Sequence, residues 1–338
     1  MTAPGKPDRA GVLVPAAPAG LEPLAVPPAF SVVIPAYQAA ETIAGAVGSA
    51  LDQSLPAHET IVVDDGSTDD LAGALRPFED RIELVRKRNG GVASARNAGI
   101  EIATGDFVAV LDADDRFHPE RLEALAGLAV SRPDLDILTT DTRFVSGGEV
   151  QGTFLERNPF ATDDQRRAIF ESSFVGWPAV RLSRLRAIGG FDAGLAVGED
   201  WDCWLRLILS GSRAGLVNRP LYDYVVRAGS LTSDRRANLW ARVALLEKAA
   251  ANPALRTEDI PALQRALRRH RSRAVMAEAR AKADGYAPST PLARLALSRG
   301  IEPKSRAAAL LAAAAPPLAR RVLPGGSATD ERLAGGDR

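Results

Sequence analysis

Residues 106–117 read DFVAVLDADDRF. The run from Phe107 to Leu111 is short and apolar, the pattern of a strand buried on both faces. It ends in Asp112, Asp114 and Asp115, three carboxylates within four positions. Carboxylates this close repel one another unless positive charge sits between them. Hard cations such as Mg2+ or Mn2+ take oxygen ligands. They are often held by one or two carboxylates, with water and substrate phosphates completing the shell. A metal-bound diphosphate would account for the acidic ending. The same acids also suit a solvated turn leading into a helix N-terminus, where negative charge is favoured. An EF-hand loop is excluded, because residue 117, the sixth from Asp112, is Phe where Gly is required.

Outward from this strand, the chain alternates strand-like and helix-like segments from Phe30 to about Arg132. SVVIP (31–35) is an apolar run stopped by Pro35. The segment after it places Ile43, Ala46, Val47, Ala50 and Leu51 on one helical face. ETIVVDDGS (59–67) and RIELVRK (81–87) read as the second and third strands, GGVASARNAGIEIAT as a helix, and DFVAVL as the fourth strand. A further helix begins near Pro119, with Leu122, Leu125, Ala126 and Ala129 on one side. This alternation predicts an α/β domain with a mainly parallel sheet. Ligands of such sheets bind beyond the carboxyl ends of the strands. The loops there are PAYQ, DDGSTDD, RNGG and DADD, so four polar clusters are predicted along one rim.

Further on, DILTTDTRF (136–144) reads as another strand, and GEDWDCWLRLI (198–208) as a helix whose Trp201, Trp204, Leu205 and Ile208 share a face. From about Trp240 the composition shifts to Ala, Arg and Leu. The expected organisation is a flexible Pro/Ala-rich leader (1–28), a catalytic domain (29–238), a helical extension (239–323) and a loose tail (324–338).

Lys plus Arg equals Asp plus Glu at 42 each, so nothing global points to nucleic acid. The single cysteine, Cys203, excludes an intramolecular disulfide and suits a reducing compartment. No stretch is long and apolar enough to span a bilayer, and the N-terminus lacks the build of a signal peptide. The expectation is a cytoplasmic protein, at most at the inner face of a membrane.

The acidic strand end is not alone. Asp64 and Asp65 end the second strand before a Gly66-Ser67 turn, a place where a carboxylate accepts from a base N–H, although Asp, Gly and Ser are also ordinary turn residues. Arg86, Lys87, Arg88 and Arg96 surround Gly90-Gly91 at a helix start suited to phosphates. Neither GxxxxGK[ST] nor GxGxxG is present, which disfavours a P-loop or a dinucleotide fold.

Five ordered segments, SVVIPAYQAAETI, IVVDDGSTD, NGGVASARNAGI, FVAVLDADD and GGFD…GEDWDCWLR, resemble the family 2 glycosyltransferases of the GT-A fold over roughly residues 30–235. The resemblance implies an inverting transfer of sugar from a nucleoside-diphosphate sugar, a UDP-sugar above others, to a glycan, lipid-linked or small-molecule acceptor. It implies nucleotide contacts at Pro35, Ala36, Tyr37, Glu41, Asn89 and Gly91, with Asp64 or Asp65 reading the base. Arg96 is implied near base or phosphates. Asp112, Ala113 and Asp114 are implied at the ribose and diphosphate, with Asp112 and Asp114 on Mg2+ or Mn2+ and Asp115 supporting them. Asp200 is the implied general base, supported by Glu199, where helix capping alone is the simpler alternative. Trp177, Trp201 and Arg227 are candidates for acceptor or phosphate contacts. Arg227 stands where relatives often carry a histidine, three residues before Ser230, and an arginine cannot ligate a metal. Two alternatives remain open: a nucleotidyltransferase that makes nucleotide sugars, and a non-catalytic nucleotide- or glycan-binding relative. The arginines of 263–282 suit a solvated helix face, and less readily a weak peripheral contact with anionic lipid.

Overall fold

A computed structural model describes residues 11–227, 235–286 and 291–323. The start of the leader, Ser230 and the tail from 324 lie outside the described residues. The chain divides into two compact units, one of residues 1–169 and 173–228 and the other of residues 170–172 and 229–338.

The first unit is built on one mixed sheet. In chain order its elements are β1 (Val12–Leu13), β2 (Phe30–Ala36), α1 (Ile43–Leu51), β3 (Glu59–Asp64), α2 (Leu71–Leu75), β4 (Glu83–Arg86) and α3 (Val92–Ile102). Then come β5 (Phe107–Val110), β6 (Arg116–Phe117), α4 (Arg121–Ser131), β7 (Ile137–Ser146), β8 (Glu149–Thr153) and α5 (Phe154–Arg157). The remainder are α6 (Gln165–Glu171), β9 (Ala179–Arg181), α7 (Leu182–Ala187), α8 (Glu199–Leu209) and β10 (Ala214–Val225). The sheet order is β1-β10-β7-β9-β5-β2-β3-β4. Its β5-β2-β3-β4 half is parallel throughout. The other half is mixed, because β9 runs antiparallel to both β5 and β7.

β2 and β5 are buried along their whole length, so near-continuous apolar runs are what the two covered faces require. Pro35 does not stop β2: it pairs with Val63, and the strand runs on to Ala36. The apolar side of α1 (Ile43, Ala46, Val47, Ala50) and that of α4 (Leu122, Leu125, Ala126, Ala129) are buried in one core. α3 approaches β2 closely, since a Cβ on Gly99 would lie 2.4 Å from Val33 Cγ1.

The described part of the leader is not loose. Val12 and Leu13 pair antiparallel with Val217 and Leu216 of β10. Arg132 donates to the Pro15 carbonyl at 2.8 Å, and Arg213 donates to that of Ala16. The exposed backbone edge of β10 offers hydrogen bonds that even a short extended segment can take.

The second unit contains α9 (Arg235–Ala249), α10 (Ile260–Ala283), α11 (Leu292–Ala296), α12 (Pro303–Ala314) and α13 (Pro316–Val322). Its core is small, with Val275, Ala279, Leu292, Leu295, Ala309 and Ala312 buried. Trp240 donates to Glu278 at 3.1 Å inside it.

Candidate active site

The parallel half of the sheet sets the carboxyl ends of β5, β2, β3 and β4 side by side, and the loops there are bound to one another. Gln38, left-handed at φ 50, accepts from the backbone N–H groups of Thr68 and Asp69 at 3.0 and 3.1 Å. This closes the loop after β2 onto the loop after β3. Pro35 and Ala36 are buried within β2, whereas Tyr37 (54% exposed) and Glu41 stand open at the rim.

Sequence left the roles of Asp64 and Asp65 undivided, and their surroundings differ. Asp65 accepts from Lys87 Nζ at 2.7 Å, Gly90 N–H at 3.0 Å and Gly91 N–H at 2.8 Å. It thereby fixes the RNGG turn to the end of β3, with Asn89 exposed on that turn. Asp64 accepts from Ser67 N–H at 2.8 Å, and its other oxygen lies 3.3 Å from the largely exposed Arg86.

Arg96 is buried and joins two motifs. One terminal nitrogen donates to Asp112 at 2.8 Å, the other to Glu199 at 2.9 Å, and the guanidinium carbon lies 5.2 Å from the centre of the Phe191 ring. Burial works against its charge, but Asp112 and Glu199 outweigh that and raise its pKa. Its two terminal nitrogens are engaged by carboxylates, which draw the acidic turn after β5 to the start of α8, while its buried Nε has no partner among the described residues. The next residue, Asn97, makes a reciprocal pair with the Phe191 backbone at 2.7 and 2.8 Å. A Cβ on Gly190 (φ 71) would lie 2.4 Å from Asn97 Oδ1. The glycine pair in GGFD and the asparagine in ARN thus answer one another, a link whose only trace in sequence was the presence of both motifs.

Gly198 (φ 82) turns the chain into α8, whose first turn carries Glu199, Asp200 and Asp202. Burial raises the pKa of Glu199, Asp200 adds to the rise, and Arg96 opposes it. Asp200 accepts from Trp201 N–H at 2.6 Å. Asp202 is buried and paired with Arg206 at 2.7 Å. Trp201 is 6% exposed and donates from its indole to the Ile169 carbonyl at 2.8 Å, so it packs the core and is not an open acceptor surface.

Behind the acidic turn, Asp115 is fully buried and accepts from the Tyr222 hydroxyl and the Val225 N–H, each at 2.8 Å. Burial first, then neighbouring Asp112, raises its pKa well above the usual carboxylate range. Asp115 thus ties the turn to the end of β10, which leads to Arg227. The Arg227 guanidinium lies 3.7 Å from Asp114. Asp114 is half-buried, and burial together with Asp112 pushes its pKa up.

Trp177, left-handed at φ 41, stacks on Tyr222 at 5.2 Å and meets Phe144, Phe154 and Tyr224. Arg121, fully buried, donates to the Trp177 carbonyl and to the Thr140 hydroxyl and lies over the rings of Phe117 and Tyr222. Sequence reading missed Arg121, Tyr222 and Asn97, because an isolated polar residue inside an apolar segment carries no periodic mark.

Asp112, half-buried, and Asp114 flank Ala113 on the turn after β5, an all-oxygen pair that suits Mg2+ or Mn2+. Among the described residues no cluster of three or more His, Cys, Asp or Glu is arranged to hold a metal. Such an ion would therefore take the rest of its shell from phosphates and water, as these ions accept.

The profile of the family described as glycosyl transferase family 2 matches residues 31–189. The succinoglycan biosynthesis protein ExoU of Rhizobium meliloti is 33% identical over 232 residues, covering 63% of this chain and 66% of ExoU, just under two thirds of its length. The amylovoran biosynthesis glycosyltransferase AmsB of Erwinia amylovora is 33% identical over 221 residues, covering 60% of this chain and 71% of AmsB. The crystal structure of S. aureus TarS 1–349 in complex with UDP-GlcNAc superimposes with TM-score 0.60 at 19% identity, covering 91% of this chain and 92% of that one. That last likeness concerns the fold, which is of the GT-A type. The ordered strand-end motifs, the sheet that gathers them and these matches agree: the chain is an enzyme of glycosyl transferase family 2.

Proposed function

We propose that the enzyme moves a sugar from a nucleoside-diphosphate sugar, foremost a UDP-sugar, to a hydroxyl of a glycan, lipid-linked or small-molecule acceptor, with inversion. The observation that carries this reading is the Arg96 bridge, which brings the acidic turn at Asp112 and the acids at the start of α8 to a single guanidinium. The rim loops would hold the nucleotide through Tyr37, Glu41 and Asp64. Asp112 and Asp114 would hold Mg2+ or Mn2+, which when bound would neutralise the diphosphate leaving group. Asp200 would take the proton of the acceptor hydroxyl as its oxygen bonds to the anomeric carbon and the bond to the diphosphate breaks. A single displacement inverts that carbon. Glu199, tied to Arg96, would keep Asp200 in place.

Family membership sets aside the nucleotidyltransferase alternative. A thermal-shift panel of UDP, GDP, CDP and dTDP sugars, with and without Mn2+, tests the donor reading, because a ligand of the folded state raises its apparent stability. A Mn2+-dependent rise with one nucleotide class is expected; no rise with any would overturn the reading.

A further inference from the structure

Zero net charge conceals a division. Residues 229–338 hold 20 Lys and Arg against 10 Asp and Glu, a formal charge of +10, which leaves −10 on residues 1–228. Such asymmetry points to an anionic partner for the basic half. On α10, Arg269 pairs with Glu171 and Arg271 with Glu247, while Arg265 and Arg268 are exposed and add to the positive charge of this unit.

α12 carries apolar residues on its outward as well as its inward side. Its inner positions, Ser305, Ala308, Ala309 and Ala312, are buried. Its outer positions, Pro303, Ala307, Leu310 and Ala314, recur at helical spacing and are exposed, Leu310 by 46%. On α13, which packs against α12, Leu318 and Val322 lie one turn apart and are 50% and 60% exposed. Cations border both helices: Lys304 and Arg306 near the start of α12 and Arg321 at the end of α13 are exposed, while Arg320 lies 3.7 Å from Asp284.

We propose that the outward face of α12 and α13 docks on the surface of an anionic lipid bilayer. Aliphatic side chains flanked by Lys and Arg match the boundary between acyl chains and acidic headgroups. A symmetric contact with a second copy would set one +10 unit against another, which charge opposes. Nucleic acid is poorly matched, because the face offers aliphatic groups and no aromatic rings on which bases could stack. No helix among the described residues is long and apolar enough to cross a membrane, so the contact is peripheral.

The test is cosedimentation of the full chain with phosphatidylcholine vesicles, with and without phosphatidylglycerol, at low and high salt. Binding is expected only to the anionic vesicles and should be lost at high salt. Lys304→Ala with Arg321→Ala should lower partition roughly 25-fold, about fivefold per cation. Leu310→Asp with Leu318→Asp should abolish binding, with helical content by circular dichroism unchanged. Should the aspartate pair unfold the unit, the exposed alanine pair still decides. Absent binding, equal binding to neutral vesicles, or alanine variants that bind like the parent would each overturn the proposal. So would salt-sensitive self-association without vesicle binding. Donor-induced thermal shifts are read separately, so failure here leaves the donor reading standing.

Discussion

Arg96 and Glu199 are 103 residues apart in the chain, and their side chains meet at 2.9 Å. The same guanidinium holds Asp112, so one buried cation decides whether two acidic motifs can share a site. Arg96→Met leaves both carboxylates without their shared cation, and breaking a buried pair costs about 3–5 kcal/mol. Urea unfolding should show a loss of that order. Arg96→Lys should recover only part of it, because one ammonium lacks the fork that reaches two acids. A lysine variant as stable and active as the parent would contradict the bridge.

Asp200→Asn should lower kcat by about 10²–10⁴-fold, the usual contribution of a general base, while donor affinity holds. Asp114→Ala should instead remove Mn2+-dependent donor binding. Calorimetric titration of the donor alongside steady-state kinetics separates the two, and equal loss of donor affinity in both variants would sink this division of labour.

Arg121 has no carboxylate partner among the described residues, and burial pushes its pKa down to about 10, so it stays a cation at neutral pH. Its bonds hold Trp177 in the left-handed region. Arg121→Met leaves the Trp177 carbonyl without that donor, which costs about 1–3 kcal/mol for a buried group. The thermal midpoint should fall, and acceptor KM should rise with donor affinity unchanged; an unaltered KM would confine Arg121 to the core.

Asp134 is opposed by burial, yet bonds from Arg132 and the nearby Arg213 more than compensate and lower its pKa. A lowered folded-state pKa contributes stability above the ordinary carboxylate value of about 3.8, and that stability is lost as pH falls below it. Both arginines also clamp the backbone at Pro15 and Ala16. Asp134→Asn should flatten the acid limb of the stability profile and speed hydrogen exchange over residues 12–16. An unchanged acid limb would count against the clamp.

Much of the fold was legible because strand and helix patterns are local. The apolar runs of β2, β3 and β5 and the spacing of Ile43, Val47 and Leu122 carry their element in a few consecutive residues. The carboxylates at strand ends were legible for the same reason. Pro35 misled: a proline is read as a stop, but the strand tolerates it and pairs to Ala36. Val12 and Leu13 misled too, since two residues show no period and their partner is more than two hundred positions away.

The sequence by itself determined the alternation of strand and helix, the placing of acids at strand ends and the family, because each depends on short-range order along the chain. Only the tertiary structure decided that Asp65 is spent on Gly90 and Gly91, that Arg96 serves Asp112 and Glu199, and that Arg121 underlies Trp177. Ion pairs and hydrogen bonds act over about 3 Å of space, and separation along the chain says little about which groups come that close.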